Sequence, residues 1–586
     1  MHERAAAMEH GLRGWRTIGL SVALATAAQL APVVWRLEGH AGGYYGTVDE
    51  MFYASLVRRA AATPPTTTDP FDREWRQASS PYGWMLPQLV GLPLRLGVPP
   101  GLWSDLSRWA ASATGAYLLI RVGAAVASPA VGAAAATLAL LDPGTYYGKP
   151  LVLLFTGRWA AFDAESLPMS RLYTPSFLLP FFAGVLLVLV RSAGPRGRRP
   201  SAAVAVGAFA ALGLAGYFFY WTTALACAVA VVLVRPRRQA VLRWLIPAGL
   251  AMLLLVALNG VGSRDDLVEH ALRIGFIRTS RPVFLAHAGF WLAAAVAALL
   301  ALAPWRVAPS ARALGIAAVG AWALVLAHTP ITGWDVQSHH YDMALGPLSA
   351  LTYSAAAWYG WRHWARRSRW LSAAGCVLVA GAALLGPWLA LRGLAAAGDQ
   401  PAIAWENARR LAALGGVPPE GGVQIAVPRP ARFALTLALP NTPYWYPFLE
   451  AWGVSDTALF TRTVCAALLT GEDSAETLRR ATPRDRFATV WPDGRPADVS
   501  LAGVRSYFAL MPVLAGREAG AVARLAHEAP ALRGSCAVLP DFALALGHSH
   551  VRRAGAVAAA LDGRTAWVAR DSSAAWFRFL RGTPGP

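Results

Sequence analysis

A chain of 586 residues that is 55% hydrophobic and only 15% charged is not a soluble globular protein, because a domain of this size needs far more charge to cover its surface. The formal net charge of +20 comes from arginine, with Lys149 as the lone lysine, and many arginines stand in short clusters between apolar runs. Such clusters orient membrane helices, so a nucleic acid is not expected as a partner. The composition predicts a mainly α, polytopic membrane protein in contact with membrane lipids.

Apolar runs long enough to cross a bilayer recur along the first two thirds of the chain. The first run follows a basic start without a small-residue cleavage site, so we expect a retained helix rather than a cleaved signal peptide. The run 202–234 is too long for one ordinary helix, and the chain is expected to turn at the aromatic residues 217–221. About eleven spans are predicted, at 15–35, 109–127, 129–146, 173–190, 202–217, 218–234, 241–259, 283–303, 312–328, 344–361 and 370–391.

The run 82–96 is also apolar, but it is short and is broken by Pro87 and Pro93. We therefore expect it to lie on the membrane surface rather than to cross it. It then belongs to a first exterior loop of about residues 36–108. Near the end of this loop, Asp105 and Arg108 are spaced to pair on one face of a helix at the mouth of the second span.

The arginine clusters test this topology. With the N-terminus in the cytoplasm, eleven spans place four arginine clusters on the cytoplasmic side, as the positive-inside rule requires. Counting 82–96 as a further span would place all four clusters outside. The clusters are Arg191/Arg196/Arg198/Arg199, Arg235/Arg237/Arg238/Arg243, Arg306/Arg312 and Arg362/Arg366/Arg367/Arg369.

The composition changes after about residue 394, which divides the chain into a membrane module at 1–394 and a second domain at 395–586. The second domain has mixed charge, Pro and Gly punctuation, and short alternating patterns such as 423–427 and 536–539. These patterns predict a small α/β domain, and an odd number of spans places it outside the cytoplasm. Cys465 and Cys536 lie in this domain and could form a disulfide if it is exported.

The most informative stretch lies just after the first span, at residues 42–53. It joins a glycine-rich and tyrosine-rich approach, which includes Tyr44 and Tyr45, to the adjacent acids Asp49 and Glu50. Two carboxylates at an outer membrane surface suggest an active site. The simpler reading is that Asp49 caps a short helix and Glu50 occupies its first turn, where acids are favoured in any case.

The other predicted exterior loops carry further polar residues. Because each loop is bracketed by membrane, we expect these side chains to converge near the lipid headgroups. Some of these residues also have structural explanations. Lys149 could be a snorkelling side chain, Arg171 could anchor a helix end, and arginines near 273–281 could bind anionic lipid. The residues are Lys149, Arg158, Asp163, Glu165 and Arg171 in one loop, Asp265, Asp266, Glu269, His270, Arg273, Arg278 and Arg281 in the next, and Asp335, Gln337, His339, His340 and Asp342 in the last.

Such a set suits the transfer of a sugar from a polyprenyl-phosphate donor, whose tail stays in the bilayer while its phosphate lies at the surface. Asp49 or Glu50 would orient or deprotonate an acceptor hydroxyl. The donor phosphate would be held by Lys149, Arg158, Arg171, Arg273, Arg278 and Arg281, and other substrate contacts would come from Tyr44, Tyr45, Gln337, His339 and His340. No cofactor is required by this reading.

A metal ion is a further possibility in the last exterior loop. His339 and His340, with Asp335 or Asp342, could ligate a divalent cation such as Mg²⁺ or Mn²⁺. Their spacing matches no zinc signature, so a polar loop that binds the acceptor is favoured.

The order of these features resembles the GT-C glycosyltransferases, integral-membrane enzymes that include protein O-mannosyltransferases and the aminoarabinose and arabinofuranosyl transferases. The resemblance rests on the acids Asp49 and Glu50 ahead of aromatic residues, on the stretch 171–175 that opens a span, and on the stretch 337–341 before a late span. The resemblance in overall architecture extends over about residues 15–390. It implies an inverting transfer with Asp49 at the catalytic position, in the inner membrane of a bacterium.

The acceptor is left open, as an envelope glycan, lipid or protein. A transporter or flippase for an envelope lipid or saccharide is the main alternative, and it would place ionisable residues deep within the spans. A non-catalytic assembly protein, with an exported domain that binds partners, is the third hypothesis. Charges at the mouths of the spans favour surface chemistry over passage.

Overall fold

The structure, a computed structural model, describes residues 18–23, 25–27, 48–62, 84–141, 176–193, 200–234, 238–260, 276–278, 288–303, 307–336 and 338–365, together with seven short strands after residue 422. Its account of the side chains does not extend to residues 48–51, 141, 238–241, 260, 276–278, 288–289, 335–336, 338–339, 364–365 or those strands. Helices make up most of the described residues, as predicted for a mainly α protein.

The described residues among the first 365 form helices and one two-stranded sheet. A 3₁₀ turn at Ser338–Tyr341 precedes the last helix, and a π turn at Trp361–Ala365 follows it. The helices are α1 Val48–Ala62, α2 Met85–Val90, α3 Leu92–Arg95, α4 Pro100–Val126, α5 Pro129–Leu141, α6 Leu179–Ser192, α7 Ala202–Ala215, α8 Phe218–Leu233, α9 Arg238–Gly260, α10 Ala288–Leu302, α11 Pro309–Thr332 and α12 Asp342–Gly360; the strands are β1 Phe276–Arg278 and β2 Trp334–Val336.

Several of these helices have the length and composition of membrane spans. Three are long and apolar enough to cross a bilayer, namely Pro100–Val126, Leu242–Asn259 and Pro309–Thr332. Shorter apolar helices occupy Pro129–Leu140, Leu179–Ser192, Ala202–Ala215, Phe218–Leu233 and Phe290–Leu302. The count of eleven stays a prediction, because the predicted span 370–391 and much of 15–35 lie outside the described residues.

The long apolar run 202–234 is two helices, as expected. The chain turns at Gly216 and Tyr217, at the edge of the predicted aromatic turn. Gly216 has a φ of 68°, in the left-handed region that glycine adopts without a steric penalty. A Cβ at this position would also lie 3.0 Å from Asn259 Nδ2, so a side chain here would displace the Asn259 amide.

The first predicted exterior loop contains more helix than expected. Residues 84–96 form the two short helices α2 and α3, neither long enough to cross a bilayer, in agreement with the predicted break. The helix α1 places Asp49 and Glu50 in its first turn, in agreement with the simpler reading that these acids begin a short helix. The apolar positions at 52, 56, 57 and 60 are spaced for one helical face, and all of them are buried.

Side-chain hydrogen bonds identify two ends of the helical bundle. At one end, called the Asn259 end, the Asn259 side chain joins the start of α2 to the end of α7, and Tyr220 Oη at the start of α8 donates to Met343 O at the start of α12, at 2.8 Å. Trp103 Nε1 near the start of α4 donates to Val90 O of α2 at 2.9 Å. All of these groups belong to helix ends that the sequence places outside the cytoplasm.

The opposite helix ends meet at what we call the Tyr359 end. Tyr359 Oη on α12 donates to Val126 O at the end of α4, at 2.8 Å. Ser310 Oγ on α11 donates to Ala125 O at 2.6 Å, and Arg312 Nη2 donates to Ala303 O, just after α10, at 3.1 Å. The arginines Arg312 and Arg362 lie at this end, in the pattern that the positive-inside rule predicts for one membrane face.

Small residues set the spacing between helices. A Cβ on Gly123 of α4 would overlap the backbone of Gly132 in α5, and a Cβ on Gly213 of α7 would overlap the backbone of Met252 in α9. A Cβ on Gly320 of α11 would lie 2.7 Å from Ala226 O of α8. Backbones that approach this closely gain packing and dispersion contacts, which drive helix association in lipid, where there is little hydrophobic drive between helices.

A first prediction follows from the α4–α5 contact. Gly123→Ala is expected to destabilise the purified protein by about 1–3 kcal/mol, because the added methyl group forces the two helix backbones apart. The matched control is Gly184→Ala in α6, where nothing lies within 4 Å of the position of a Cβ and alanine favours helix. Thermal unfolding in detergent measures both variants. An equal loss of melting temperature in the two would contradict the interlocked packing.

After residue 422 the structure describes seven strands. Five of them form one mixed sheet in the order β4-β3-β7-β9-β8, in which β3 runs parallel to β4 and β7 while β9 runs antiparallel to β7 and β8. The predicted strand at 423–427 is β3, whereas the pattern at 536–539 and the boundary near residue 394 lie outside the described residues. The strands are β3 Val423–Ala426, β4 Tyr444–Trp445, β5 Ala488–Val490, β6 Pro496–Asp498, β7 Ala543–Leu546, β8 Thr565–Arg570 and β9 Ala575–Phe579.

Candidate active site

Two of the predicted exterior loops meet in a small antiparallel sheet. Strand β1 comes from the arginine-bearing loop and β2 from the loop that carries the histidines, and Ile277 pairs with Asp335 while Arg278 pairs with Trp334. The 3₁₀ turn Ser338–Tyr341 begins two residues after β2 and leads directly into α12. The pairing therefore brings the arginine-bearing loop beside the strand that leads into the turn with His339 and His340, with Phe276 at the end of β2 nearer the turn and Arg278 at the end farther from it.

His340 is held by the aromatic turn between α7 and α8. Its ring stacks on Phe219, with centroids 5.2 Å apart and an angle of 22° between the planes. Its Nδ1 lies 3.2 Å from Tyr217 Oη, at hydrogen-bonding distance. The sequence predicts a turn at residues 217–221, and in the structure two of these residues, Tyr217 and Phe219, also hold a candidate substrate-binding histidine.

A buried layer lies beneath this histidine. Tyr341 has no exposed surface and packs edge to face on Phe219, with ring centroids 5.0 Å apart. His328, near the end of α11, lies with its ring centroid 5.6 Å from that of Tyr341, and its Nε2 is 3.2 Å from Thr329 Oγ1. These contacts join α8 and α11 to the turn Ser338–Tyr341 and form a buried aromatic layer next to the His340 ring.

The predicted pair Asp105–Arg108 forms in α4. Arg108 Nη1 lies 3.7 Å from Asp105 Oδ1, and the two side chains are only 1% and 6% exposed. Arg108 Nη2 also donates to Ser104 Oγ at 3.4 Å. The pair was expected at the mouth of a span, and the structure places it inside a long helix, in the second and third turns from the start.

The predicted site residues differ in how far the structure describes them. His340 is described with its side chain, whereas Asp49, Glu50, Arg278 and His339 are described as backbone positions within α1, β1 and the 3₁₀ turn. Their predicted roles remain predictions. The predicted site residues that lie outside the described residues are Tyr44, Tyr45, Lys149, Arg158, Arg171, Arg273, Arg281 and Gln337.

The candidate metal ligands are described only in part. Among the described residues, no group of three or more His, Cys, Asp and Glu side chains could hold a metal ion. The side chains of Asp335 and His339, two of the four ligands considered from the sequence, do not belong to that set. The divalent cation therefore stays a question for experiment.

Sequence reasoning missed two residues at this end of the bundle. His328 lies within a predicted span, and only its burial beside Tyr341 connects it to the candidate site. Asn259 stands at the end of an apolar helix and contacts two other segments. A polar side chain within or at the end of an apolar run was the available signal for both residues.

Comparison with known proteins adds a likeness of architecture. No protein-family model matches the chain, and no curated protein does. Among solved structures, the chain is similar to ArnT from Cupriavidus metallidurans bound to undecaprenyl phosphate, at 14% identity and a TM-score of 0.45, over 98% of this chain and 99% of that one.

It is also similar to the archaeal oligosaccharyltransferase AglB from Archaeoglobus fulgidus in complex with an inhibitory peptide and a dolichol-phosphate, at 12% identity and a TM-score of 0.42, over 97% and 89% of the two chains. At these scores the likeness assigns neither a substrate nor a mechanism to this chain.

Proposed function

We propose that the protein is a GT-C-type membrane glycosyltransferase that takes a sugar from a polyprenyl-phosphate donor and passes it to a cell-envelope acceptor. One observation carries the proposal. Segments that are far apart in the chain, namely α1 to α3, the α7–α8 turn, the β1–β2 pair and the turn Ser338–Tyr341, meet at the Asn259 end. The arginines Arg312 and Arg362 lie at the Tyr359 end.

The proposed reaction is a single displacement with inversion. Asp49, in the first turn of α1, accepts the proton of the acceptor hydroxyl as its oxygen attacks the anomeric carbon of the sugar. The bond between that carbon and the phosphate oxygen breaks, and polyprenyl phosphate leaves with the bonding electron pair. Glu50 is the second candidate for the carboxylate role.

The departing phosphate gains negative charge, which the cations of the site stabilise. Each charge-assisted hydrogen bond contributes about 1.5–3 kcal/mol, so two or three of them are a substantial part of the barrier reduction. We assign this role to Lys149, Arg158, Arg171, Arg273, Arg278 and Arg281. The pairing of β1 with β2 places the loop that carries Arg273, Arg278 and Arg281 beside the segment that leads into the histidine turn, which supports this assignment.

The remaining substrate contacts are assigned to polar and aromatic residues at the same end. His340 is held between Phe219 and Tyr217, which limits the rotation of its ring and presents an imidazole at a set position. Together with Gln337 and His339 it would bind hydroxyl groups of the sugar or acceptor. Tyr44 and Tyr45, upstream of α1, would complete the binding surface.

The experiment uses the full-length protein in lipid nanodiscs. A panel of radiolabelled polyprenyl-phosphate sugars is tested for binding and for loss of the sugar to envelope extracts, and undecaprenyl phosphate, the ligand of the ArnT structure, serves as the lipid probe. We expect saturable binding of the lipid phosphate and transfer from at least one donor. Chelator, Mg²⁺ and Mn²⁺ arms decide whether a divalent cation takes part. If no donor binds and no sugar moves, the enzyme proposal is wrong.

A transporter or flippase is the second candidate, and a specific observation favours it. The buried pair Asp105–Arg108 in α4 and buried His328 in α11 are ionisable residues inside helices, where transport pathways place such groups. All three lie toward the Asn259 end of their helices rather than midway along them. A lipid-scrambling measurement in proteoliposomes separates the two functions, because an enzyme transfers sugar without moving the carrier across the bilayer.

A further inference from the structure

We propose that Asn259 is a positioning residue, which sets the place of the acid-bearing helix α1 relative to the Tyr217–His340 contact. The inference rests on the proposed function and adds a residue to it. Asn259 lies near the end of α9, is 5% exposed, and contacts both the first exterior loop and the end of α7.

The side-chain amide of Asn259 uses its whole hydrogen-bonding capacity. Its Oδ1 accepts from Trp84 N at 3.3 Å and from Met85 N at 3.1 Å. Its Nδ2 donates to Gly213 O at 3.1 Å and to Leu214 O at 2.9 Å. An asparagine amide offers two donor hydrogens and one oxygen with two lone pairs, so this arrangement satisfies all four. The pattern also defines which atom is oxygen and which is nitrogen.

Asn259 binds backbone groups at the ends of two other helices. The first N–H groups of a helix and its last carbonyl groups have no partner within the helix. Trp84 is the N-cap of α2 and supplies no side-chain cap of its own, so Asn259 acts as the cap from another part of the chain. At α7 it occupies the carbonyls just before the left-handed Gly216.

A second contact strengthens the attachment of the first loop. Trp84 Nε1 donates to Leu258 O at 3.1 Å, so the residue before Asn259 binds the same tryptophan through its backbone. Together, Leu258 and Asn259 hold the start of α2 by three hydrogen bonds, across a sequence separation of 174 or 175 residues.

Close packing connects α2 and α3 to α1, the helix that carries Asp49 and Glu50. Arg95 Nη2, at the end of α3, donates to Ala60 O in α1 at 2.8 Å. Gly91, between α2 and α3, approaches α1 so closely that a Cβ would lie 3.0 Å from Val57 O. Because a helix moves as a unit, the position of α2 determines the position of the first turn of α1, where Asp49 and Glu50 lie.

From α7 the attachment reaches the histidine turn. Leu214 is three residues before Tyr217, whose hydroxyl lies 3.2 Å from His340 Nδ1. Asn259 therefore joins the carboxylate helix on one side to the substrate-binding histidine on the other. A displacement of about 1 Å between groups that must meet in a transition state costs about 10²-fold in rate.

The test compares Asn259→Ala with the neighbouring control Leu258→Ala, which removes a side chain that is 41% exposed and keeps the backbone carbonyl. Undecaprenyl phosphate titration measures the fraction of protein that binds lipid. The single-turnover rate of a bound polyprenyl-phosphate sugar measures the chemical step per competent molecule. We expect Asn259→Ala to keep the lipid affinity and to lower the single-turnover rate by about 10²-fold, with Leu258→Ala unchanged in both.

A merely structural role would give a different result, because misfolded molecules reduce the fraction that binds lipid and leave the single-turnover rate of the remainder unchanged. That outcome overturns the inference. If wild-type protein transfers no sugar from any donor, the proposed function fails instead, so the two failures are distinguishable.

Two further variants keep the test informative if Asn259→Ala does not fold. Trp84→Phe removes the indole N–H bond to Leu258 O and keeps a ring, and it is expected to slow single turnover less than Asn259→Ala does. Asn259→Asp keeps an oxygen that accepts from Met85 N, so we expect the backbone amides of α2 to stay protected in hydrogen exchange. The same variant loses the donor to Leu214 O, so we expect sugar transfer to be slow. Normal single-turnover rates in both variants overturn the inference.

Discussion

Asp49→Asn is expected to lower sugar transfer by about 10²–10⁴-fold while donor binding is retained, because the amide cannot accept the proton of the acceptor hydroxyl. Asparagine is close in size to aspartate and, like it, is a favourable residue near a helix N-terminus, so α1 should form as before. The measurements are the steady-state rate at saturating donor and the dissociation constant of undecaprenyl phosphate. The rate should fall, and the dissociation constant should stay within a few-fold of its wild-type value.

Glu50→Gln is the matched control, since it removes the adjacent charge from the same helical turn. If Asp49 is the acceptor base, Glu50→Gln retains most of the activity. If the large loss follows Glu50→Gln instead, the roles of the two acids are exchanged. A normal transfer rate in the Asp49→Asn protein would show that this carboxylate serves only to begin α1, which is the simpler reading of its position.

Arg108→Met is expected to be the most destabilising single change in the described part of the bundle, with a loss of about 3–5 kcal/mol in the free energy of unfolding. Arg108 is 1% exposed and pairs with Asp105, which is 6% exposed. Removal of one charge of a buried pair leaves the other in a low-dielectric interior with less compensation. Unfolding in detergent, followed at several temperatures, measures the loss in the free energy of unfolding.

Two controls decide whether the charge pair is the cause. Arg362→Met removes an exposed arginine at the Tyr359 end and should change stability little, since exposed charges contribute about 0–1 kcal/mol. The double variant Asp105→Asn with Arg108→Met removes both charges and should recover part of the loss. If the double variant is as unstable as Arg108→Met alone, the packing of the arginine side chain, and not its charge, explains the effect.

How much of the fold is visible in the sequence depends on the kind of element. The run 202–234 was predicted to be two helices because its length exceeds one span, and the turn falls at Gly216 and Tyr217, at the edge of the predicted residues 217–221. The start of α1 agrees with the simpler reading of Asp49 and Glu50, and its apolar positions, including Phe52, Leu56 and Val57, are buried. The break between α2 and α3 agrees with the proline-broken run 82–96.

The contacts of the candidate site were less visible. The Asp105–Arg108 pair was predicted because its partners are three residues apart on one helix. His340 and Tyr217 are 123 residues apart, and Asn259 and Met85 are 174 apart. Nothing in a single sequence relates such positions, since any of several helix ends on the same side of the membrane could have supplied the partner.

The lengths of the apolar runs and the placement of the arginines predict that this chain crosses a membrane many times, and they predict which helix ends share a face, because both features obey the bilayer. Which of those ends touch is visible in the tertiary contacts alone. When helices are apolar on every side, hydropathy does not determine which of them pack together. Their partners are selected by close backbone contacts such as Gly123 on Gly132, and by a few directed hydrogen bonds such as those of Asn259.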